Sequence, residues 1–484
     1  MKRFISFYII LLISVKLIAQ PFSLDTNFVI NYNFNYSGGS VAGLIYEPDG
    51  KLMIYGSFWD GIHNLSDVLR IYEDGSLDNT WQYIGTGATS FLGNIKRFGA
   101  EYILYDLSNG SLGKCNYYGQ NSDTSWNNKI WRGNICHSFY QPYIFSDGSM
   151  LVGTDSICNI VSDKKRWFMR FHPDGSVDTN FKHSPNREVF GIIKYSFDKL
   201  LIYGGGQYGF TRYDNTLINR MCRIDTLGNL DTTFKSIFIS GNPRPLYIQN
   251  DGKIIVGGYF NIINYPTTLF IVRLNTDGSL DSTFNNFNSA FNNYGGILAS
   301  CPTSDGGYLI GGGFKSYQGY LRNNIVKTDT DGLIDTSYFN GTGIDSTNFA
   351  GNTPYVYNIV KGINDNYYVM GYFTHFNGEK VNPIIRIKGL SVGINEVEKE
   401  KGEIKVFPNP ANVYVEFRWE LPLLNGNATL IISDVNGKFV DRTNLTTQRG
   451  QWVWDTRSIS RGIYFYEVKS DKENLCRGKV VISK

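Results

Sequence analysis

The chain is predicted to be all-β in two unequal parts, a β-propeller followed by a small β-sandwich, and three observations predict it. A segment typified by Arg273 to Phe284, RLNTDGSLDSTF, recurs along the first four-fifths of the sequence. Aligned on the aspartate after Leu, Ile or Val, its copies fall at Asp25, Asp78, Asp178, Asp231, Asp281 and Asp335, with a degraded copy at Asp123, in steps of 53, 45, 55, 53, 50 and 54 residues. A period near 50 carrying only strand and turn signals suits propeller blades, whereas helical arrays use shorter units with helix-period apolar spacing. The 33 Tyr, 32 Phe and 52 Gly point the same way, since aromatics pack well on pleated surfaces and Gly supplies positive φ for tight turns. The third observation is a change of pattern near Gly389, where the repeats stop and a new series of short strands begins.

Taken in order, the chain opens with Lys2-Arg3 and the apolar run FISFYIILLISVKLIA, broken by Lys16 and short for a membrane span. This reads as a secretory signal peptide over residues 1–19, cut after Ala19; the alternative is an uncleaved inner-membrane anchor. No later segment is apolar enough to cross a bilayer as a helix. Residues 20–390 hold the repeats. In the best copy, Pro245 to Gln249 is a first strand, Asn250-Asp251-Gly252 a hairpin turn and Lys253 to Phe260 a second strand. Phe270 to Leu274 follows as a third strand, and Thr276-Asp277-Gly278 turns into a fourth, Leu280 to Phe284. Four antiparallel strands make one blade. Gly257-Gly258, Gly204-Gly205 and Gly311-Gly312 are expected where neighbouring backbones crowd. The second copy is irregular, because Glu101 to Asp106 lacks the glycine.

Counting strands predicts how the ring closes. The seventh copy has a second strand at Tyr367 to Phe373 and a third at Pro383 to Ile387, but no final segment. Ser23 to Phe28, SLDTNF, is an orphan copy of that segment at the other end. Pairing of residues 23–28 beside Pro383 to Ile387 would complete a seven-bladed ring and remove two open sheet edges.

DGKIIVGGYF from Asp251 followed by RLNTDGSLDSTF resembles the delta-60 repeat of bacterial secreted proteins. HPDGSVDTNF from His172 and DTLGNLDTTF from Asp225 fit the same pattern. The resemblance implies a β-propeller and a role in display or binding, with no common activity.

Glu396 to Glu403 is charged and lacks bulky aromatics, so residues 391–403 read as a linker. Beyond it IKVFPNPA, VYVEFRW, ATLIISD, GIYFYEV and KVVISK are strands of a small sandwich. Pro408, Asn409 and Pro410 with Ala411, then Asp434 to Lys438 around Gly437, then Gly462-Ile463-Tyr464, and finally Lys479 to Lys484, resemble the type A C-terminal sorting domain of the type IX secretion system. That resemblance implies an immunoglobulin-like fold over 404–484 and a partner in the secretion machinery. It also implies delivery outside a Gram-negative cell or onto its surface.

Net charge is +3, from 46 basic and 43 acidic residues, without a local basic block, which excludes a nucleic-acid footprint. The repeated aspartates are expected to be structural. An Asp in an Asp-Gly turn accepts backbone N–H groups, and one copy per blade spreads the carboxylates round the rim. Asp329-Thr330-Asp331-Gly332 with Asp335 comes nearest to a calcium loop but lacks the distal bidentate Glu, and no metal or other cofactor is expected. His63, His137, His172, His183 and His375 show no paired ligand spacing. Cys115, Cys136, Cys158, Cys222, Cys301 and Cys476 contain no CxxC pair; Cys136 with Cys158 is a possible disulfide, and buried free thiols are the alternative. GSLDNTW from Gly75 differs in spacing from sialidase turns, and no nucleophile elbow, Walker loop or dinucleotide fingerprint is present. The reading is a monomeric, non-enzymatic surface protein binding a glycan or protein through Trp59 to Asp67, Gly110 to Trp131 and Gln207 to Arg220, loops that break the repeat. The alternative is a secreted glycan hydrolase with paired carboxylates at the propeller mouth.

Overall fold

A computed structural model describes residues 21–390 and 403–483, apart from 33, 35–38, 60–65, 82–93, 99–100, 106–111, 121–138, 160–164, 206–208, 285–295, 346–352, 422–427, 436 and 471–473. The expected signal peptide, Asp123, Cys136, linker residues 391–402 and Lys484 lie outside the described residues. The chain divides into two units, Met1–Val392 and Gly393–Lys484.

Among the described residues the first unit contains seven antiparallel sheets built on one plan, apart from small hairpins in the connections. In the fifth, Arg244–Ile248, Ile254–Ile262 and Leu269–Leu274 pair in chain order, and Phe238–Gly241 adds to the far end of the central strand. The central strands of the other six are Leu52–Trp59, Glu101–Tyr105, Met150–Asn159, Lys199–Tyr203, Tyr308–Gly313 and Tyr367–Tyr372. They read as almost unbroken apolar runs because both faces of each sheet are covered. Ile254 and Val256 pack with Leu201, Tyr203 and Met221 of the fourth sheet, while Ile255 packs the other way with Ile297, Ile310 and Val326 of the sixth. The same face-to-face packing joins the sixth sheet to the seventh, the seventh to the first, the first to the second and the third to the fourth. The second copy, irregular in sequence, does form a sheet, with Asn94–Phe98 and Leu112–Cys115 flanking Glu101–Tyr105.

Glycine marks where a central strand meets the start of its first strand. A Cβ on Gly312 would lie 2.2 Å from the Gly296 carbonyl oxygen, and one on Gly371 would lie 2.1 Å from that of Tyr355. The expected fourth strand is corrected. Leu280 makes a single bridge to Leu274, as Leu77, Val177, Leu230 and Ile334 do in their own sheets, and the chain then turns. The turn follows because Asp281 Oδ1 accepts the Thr283 N–H at 3.0 Å, curling the backbone directly after the bridge, and Phe284 is then driven into the core.

The N-terminal copy occupies the corresponding place in the last sheet. Leu24 bridges Ile387, flanked by bonds from Phe22 N–H to the Lys388 carbonyl (2.8 Å), Lys388 N–H to Ser23 (2.9 Å) and Asp25 N–H to Arg386 (2.8 Å). Phe22 is buried against Phe339 and Tyr367, and Phe28 lies edge-on to Tyr368 at 5.3 Å. Burying these two rings contributes roughly 1.5 to 3 kcal/mol each before the ordering entropy of the segment is subtracted. Deleting residues 21–30 should therefore lower the melting temperature by several degrees and promote self-association through the bared edge. Differential scanning fluorimetry and size-exclusion chromatography of the deletion variant check this; a parent-like melt and elution would show that the segment does not hold the last sheet.

The second unit has two sheets around one core. Glu403–Phe407, Tyr414–Glu420 and Arg449–Asp455 form the first, and Phe439–Leu445, Ala428–Asp434, Gly462–Ser470 and Asn474–Ile482 the second. Glu403, assigned by sequence to the linker, pairs with Glu420. Val415, Phe417 and Trp454 from one sheet meet Leu430, Ile432, Val468 and Val480 from the other, as alternation along each strand requires.

Candidate binding face and export tail

One end of every sheet in the first unit carries the turns between first and second strands and those between third strand and closing segment. Here the repeat aspartates are held. Arg273 Nε donates to Asp281 Oδ2 at 2.6 Å, and Lys253 Nζ donates to the same oxygen at 2.9 Å. The arginine then reaches the next sheet, where Nη1 donates to the Thr330 carbonyl at 2.8 Å and Nη2 meets Asp331 Oδ1 at 3.0 Å. Arg70 with Asp78 (2.7 Å), Arg223 with Asp231 (2.8 Å) and Arg386 with Asp25 (2.7 Å) repeat this clasp. Their Nη1 groups donate to the carbonyls of Tyr117, Thr276 and Glu73 respectively, each in the neighbouring sheet's turn. Asp178 and Asp335 depart from the pattern, accepting the N–H of Asn180 at 2.9 Å and of Ser337 at 3.0 Å, and Lys327 stands where other copies have arginine. The arginines were missed by sequence reasoning, although Arg70, Arg170, Arg223 and Arg273 each stand eight residues before a repeat aspartate, which was a readable signal.

Burial works against ionisation of Asp78, Asp231 and Asp281. Hydrogen bonds from the adjacent threonine, lysine and arginine outweigh it and hold all three carboxyls well below the usual carboxylate range. Within the candidate calcium loop, Asp329 Oδ1 accepts the N–H groups of Asp331 and Leu333, both at 2.9 Å, and Asp331 faces Arg273. Among the described residues no three His, Cys, Asp or Glu side chains gather as metal ligands. His183 pairs with Asp214 at 2.7 Å and His375 Nδ1 meets Thr374 Oγ1 at 2.8 Å; His63 and His137 lie outside the described residues. Cys115, Cys222, Cys301 and Cys476 are free thiols, and burial pushes those of Cys115 and Cys301 up to about 12, which makes them poor nucleophiles at neutral pH.

The other end is built differently. There the second strands finish, and in three sheets the link to the third strand folds into a small hairpin: Arg212–Tyr213 with Thr216–Leu217, Ser316–Tyr317 with Tyr320–Leu321, and His375–Phe376 with Glu379–Lys380. Leu217, Tyr320 and Leu321 at these tips are exposed, as is Tyr265 in the fifth sheet's link. Of the loops singled out in the sequence, residues 60–65 and 207–208 lie outside the described residues, and the described part of Gln207 to Arg220 belongs to this end. Gly110 to Trp131 is corrected: Leu112–Cys115 is a third strand and Asn116 to Gln120 is a turn at the opposite end, so the stretch is not one loop.

First strands of neighbouring sheets contact one another from the fifth through the sixth and seventh to the first, so they converge. Four of them bulge at equivalent points, between Val41 and Gly43, Pro245 and Tyr247, Ile297 and Ala299, and Val356 and Asn358. None of the seven first strands carries Asp or Glu among the described residues. Tyr357, the bulged residue of the seventh, donates its hydroxyl to that of Tyr355 at 2.7 Å, and the Tyr355 ring stacks on Tyr372 at 5.7 Å.

In the second unit the sorting-motif residues meet on the last strand. Asn409 Nδ2 donates to the Lys479 carbonyl at 3.0 Å and its Oδ1 accepts the Val481 N–H at 2.9 Å, while Ala411 forms a parallel bridge to Ile482. Pro408 and Pro410 flank that asparagine. Gly462 pairs with Ile482, and Tyr464, buried against Trp454, donates to the Ser460 carbonyl at 2.8 Å. Asp434 Oδ1 accepts the Lys438 N–H at 2.9 Å across a turn in which Gly437 has φ 76°.

Residues 47–80, 249–284 and 303–338 match the family described as a domain of unknown function (DUF5122) beta-propeller, and residues 405–483 match the secretion system C-terminal sorting domain. The chain carries a DUF5122 β-propeller domain and a type IX sorting domain. The sorting domain means export through the type IX machinery, to the medium or the outer surface, and interaction with that machinery. Among solved structures, YCF48 from Cyanidioschyzon merolae is 11 % identical, with 73 % of this chain and 96 % of that one covered and a TM-score of 0.37. A protein of unknown function from Bacteroides caccae is 15 % identical over 60 % of this chain and 95 % of its own, with a TM-score of 0.29. No curated protein matches the chain.

The clasps in the DUF5122 domain set a pH dependence. Asp78, Asp231 and Asp281 have folded-state pKa values below the unfolded value, so the stability they contribute is present above the unfolded pKa of about 4 and is lost as pH falls through the folded pKa. Asp281→Asn should cost about 3 kcal/mol at pH 7 by removing the buried carboxylate that Arg273 and Lys253 share, leaving Arg273 only the exposed Asp331, and should flatten the loss between neutral and acid pH. Thermal melts of parent and variant from pH 7 down to pH 2.5 measure both effects.

Proposed function

We infer that this chain is a seven-bladed propeller which, once outside the cell, binds a glycan or protein through the end where the second strands finish. Residues 1–19 direct it across the inner membrane as a signal peptide, the delta-60-type repeats build the ring, and the immunoglobulin-like tail takes it through the outer one. The observation that carries the reading is the contrast between the two ends. At one end the recurring carboxylates are committed to turns and clasps; at the other, Leu217, Tyr265, Tyr320 and Leu321 stand exposed on links of unequal length above a packed frame. Variable, apolar-tipped connections on a rigid scaffold are where binding sites are usually placed. The lack of Asp or Glu on the described first strands supports binding over glycoside hydrolysis, which needs two facing carboxylates.

A glycan array and a protein pull-down with the mature full-length chain test the binding reading. A reproducible ligand whose capture weakens when Tyr320 and Leu321 are both changed to Ser supports it, and failure in both assays overturns it. Export is tested by ending the chain before Ile404: the propeller should fold and stay in the periplasm, because each unit has its own core. Surface appearance of that truncated protein, read by cell fractionation, would show that the tail is not the export signal.

A further inference from the structure

We propose that the mouth of the ring axis, at the loop-bearing end, binds an anionic sugar residue, with Arg244 holding its carboxylate or sulfate and Tyr55, Tyr355, Tyr357 and Tyr372 facing the sugar ring. The proposal rests on the binding reading above and names the ligand chemistry and the place. It begins from a convergence that sequence spacing does not show. Arg244 opens the first strand of the fifth sheet opposite Gly257, at the level where Tyr355 opens that of the seventh opposite Tyr372, and the first strands converge from the fifth sheet round to the first. The sixth sheet stands between the fifth and the seventh, so these positions lie on different sheets round the axis and share no sheet face.

Two local devices bring the tyrosines there. The bulge between Val356 and Asn358 inserts Tyr357 as an extra residue and re-aims its side chain, which is what bulges do beside binding sites. Gly43 lets the Tyr55 ring lie across the first strand of its sheet, since a Cβ on Gly43 would sit 2.3 Å from the Tyr55 hydroxyl. Burial pushes the Tyr55 and Tyr357 hydroxyls upward, so both remain O–H donors at neutral pH. Leu246 and Leu298, the bulged residues of the fifth and sixth sheets, are half-buried at the position equivalent to Tyr357 and add an apolar wall.

The charge is uncompensated within the described structure. Arg70, Arg223, Arg273 and Arg386 each grip an aspartate, whereas Arg244 is exposed with no carboxylate partner among the described residues. No described first strand offers Arg244 an acidic partner, which leaves its guanidinium able to take the anion of a ligand. Tyrosines favour a sugar as the body of that ligand, because each offers an apolar face to ring C–H groups and a hydroxyl to the ring's own hydroxyls. A guanidinium takes carboxylate and sulfate in the same forked geometry.

The test is isothermal titration of the mature full-length chain with three tetrasaccharides: tetragalacturonate, a sulfated galactan tetramer and neutral galactotetraose. At least one anionic probe should bind about tenfold or more tightly than the neutral one, with affinity falling as salt is added. Arg244→Gln, whose melting temperature should match the parent's because the side chain is exposed, should lose about tenfold on that probe; Tyr357→Phe should lose less. Equal affinity for the neutral tetrasaccharide, parent-like binding by Arg244→Gln, or no binding of either anionic probe overturns the proposal. A ligand captured in the array or pull-down that ignores Arg244→Gln sinks this site alone, whereas silence in both of those assays sinks the binding reading itself.

Discussion

The ion pair between the arginine of a third strand and the aspartate of the closing segment is the constraint on which the first unit depends. Each such pair lies in a dry environment, where an unmatched charge would be costly and a matched, fully hydrogen-bonded one is tolerated. Arginine suits the place because its planar fork spends Nε on its own sheet's aspartate and still extends Nη1 to a carbonyl of the next sheet. One side chain therefore ends a sheet and spaces it from its neighbour. Lys327 shows the contrast, since its single ammonium pairs with Asp305 at 2.8 Å within its own sheet.

The clasp also explains why the two ends of the repeat region belong together. Arg386 has no aspartate eight residues on, and Asp25 has no arginine eight residues before it. Together they make one clasp across 361 residues of chain. Within each sheet, contacts are local and hairpin-like, so each can form early; the joining of first and last copies is the one step that requires distant segments to meet. Arg386 then donates to Glu73 in the first sheet's turn, continuing the series of sheet-to-sheet links without a gap at the seam.

Committing one end of the sheets to these clasps leaves the other end for recognition. Side chains at the turn end are tied by hydrogen bonds whose loss costs stability, and substitution there is constrained. The links at the opposite end carry none of the repeat's clasps, and they differ in length and in whether they fold into hairpins. The export tail applies the same economy on a smaller scale. Asn409 uses both ends of its amide on the last strand, so the motif that marks the domain also pins its edge.

Much was legible in the sequence because it depends on short-range chemistry. Asp-Gly turns, alternating or unbroken apolar runs and a period near 50 residues specify strands, hairpins and their repetition whatever surrounds them, and the tail's motifs lie within a few residues of one another. The sequence alone also pointed to the orphan copy at Ser23 to Phe28. Tertiary structure decided what depends on distance between elements. It shortened the fourth strand to a single bridge, because the aspartate carboxylate bends the chain where a propensity reading extends it. It gave the arginines their partners, and it set the first strands of the fifth, sixth, seventh and first sheets side by side, with Arg244 and Tyr357 on two of them. No spacing rule could have shown that, since it is set by how whole sheets pack around an axis and not by the residues beside one another in the chain.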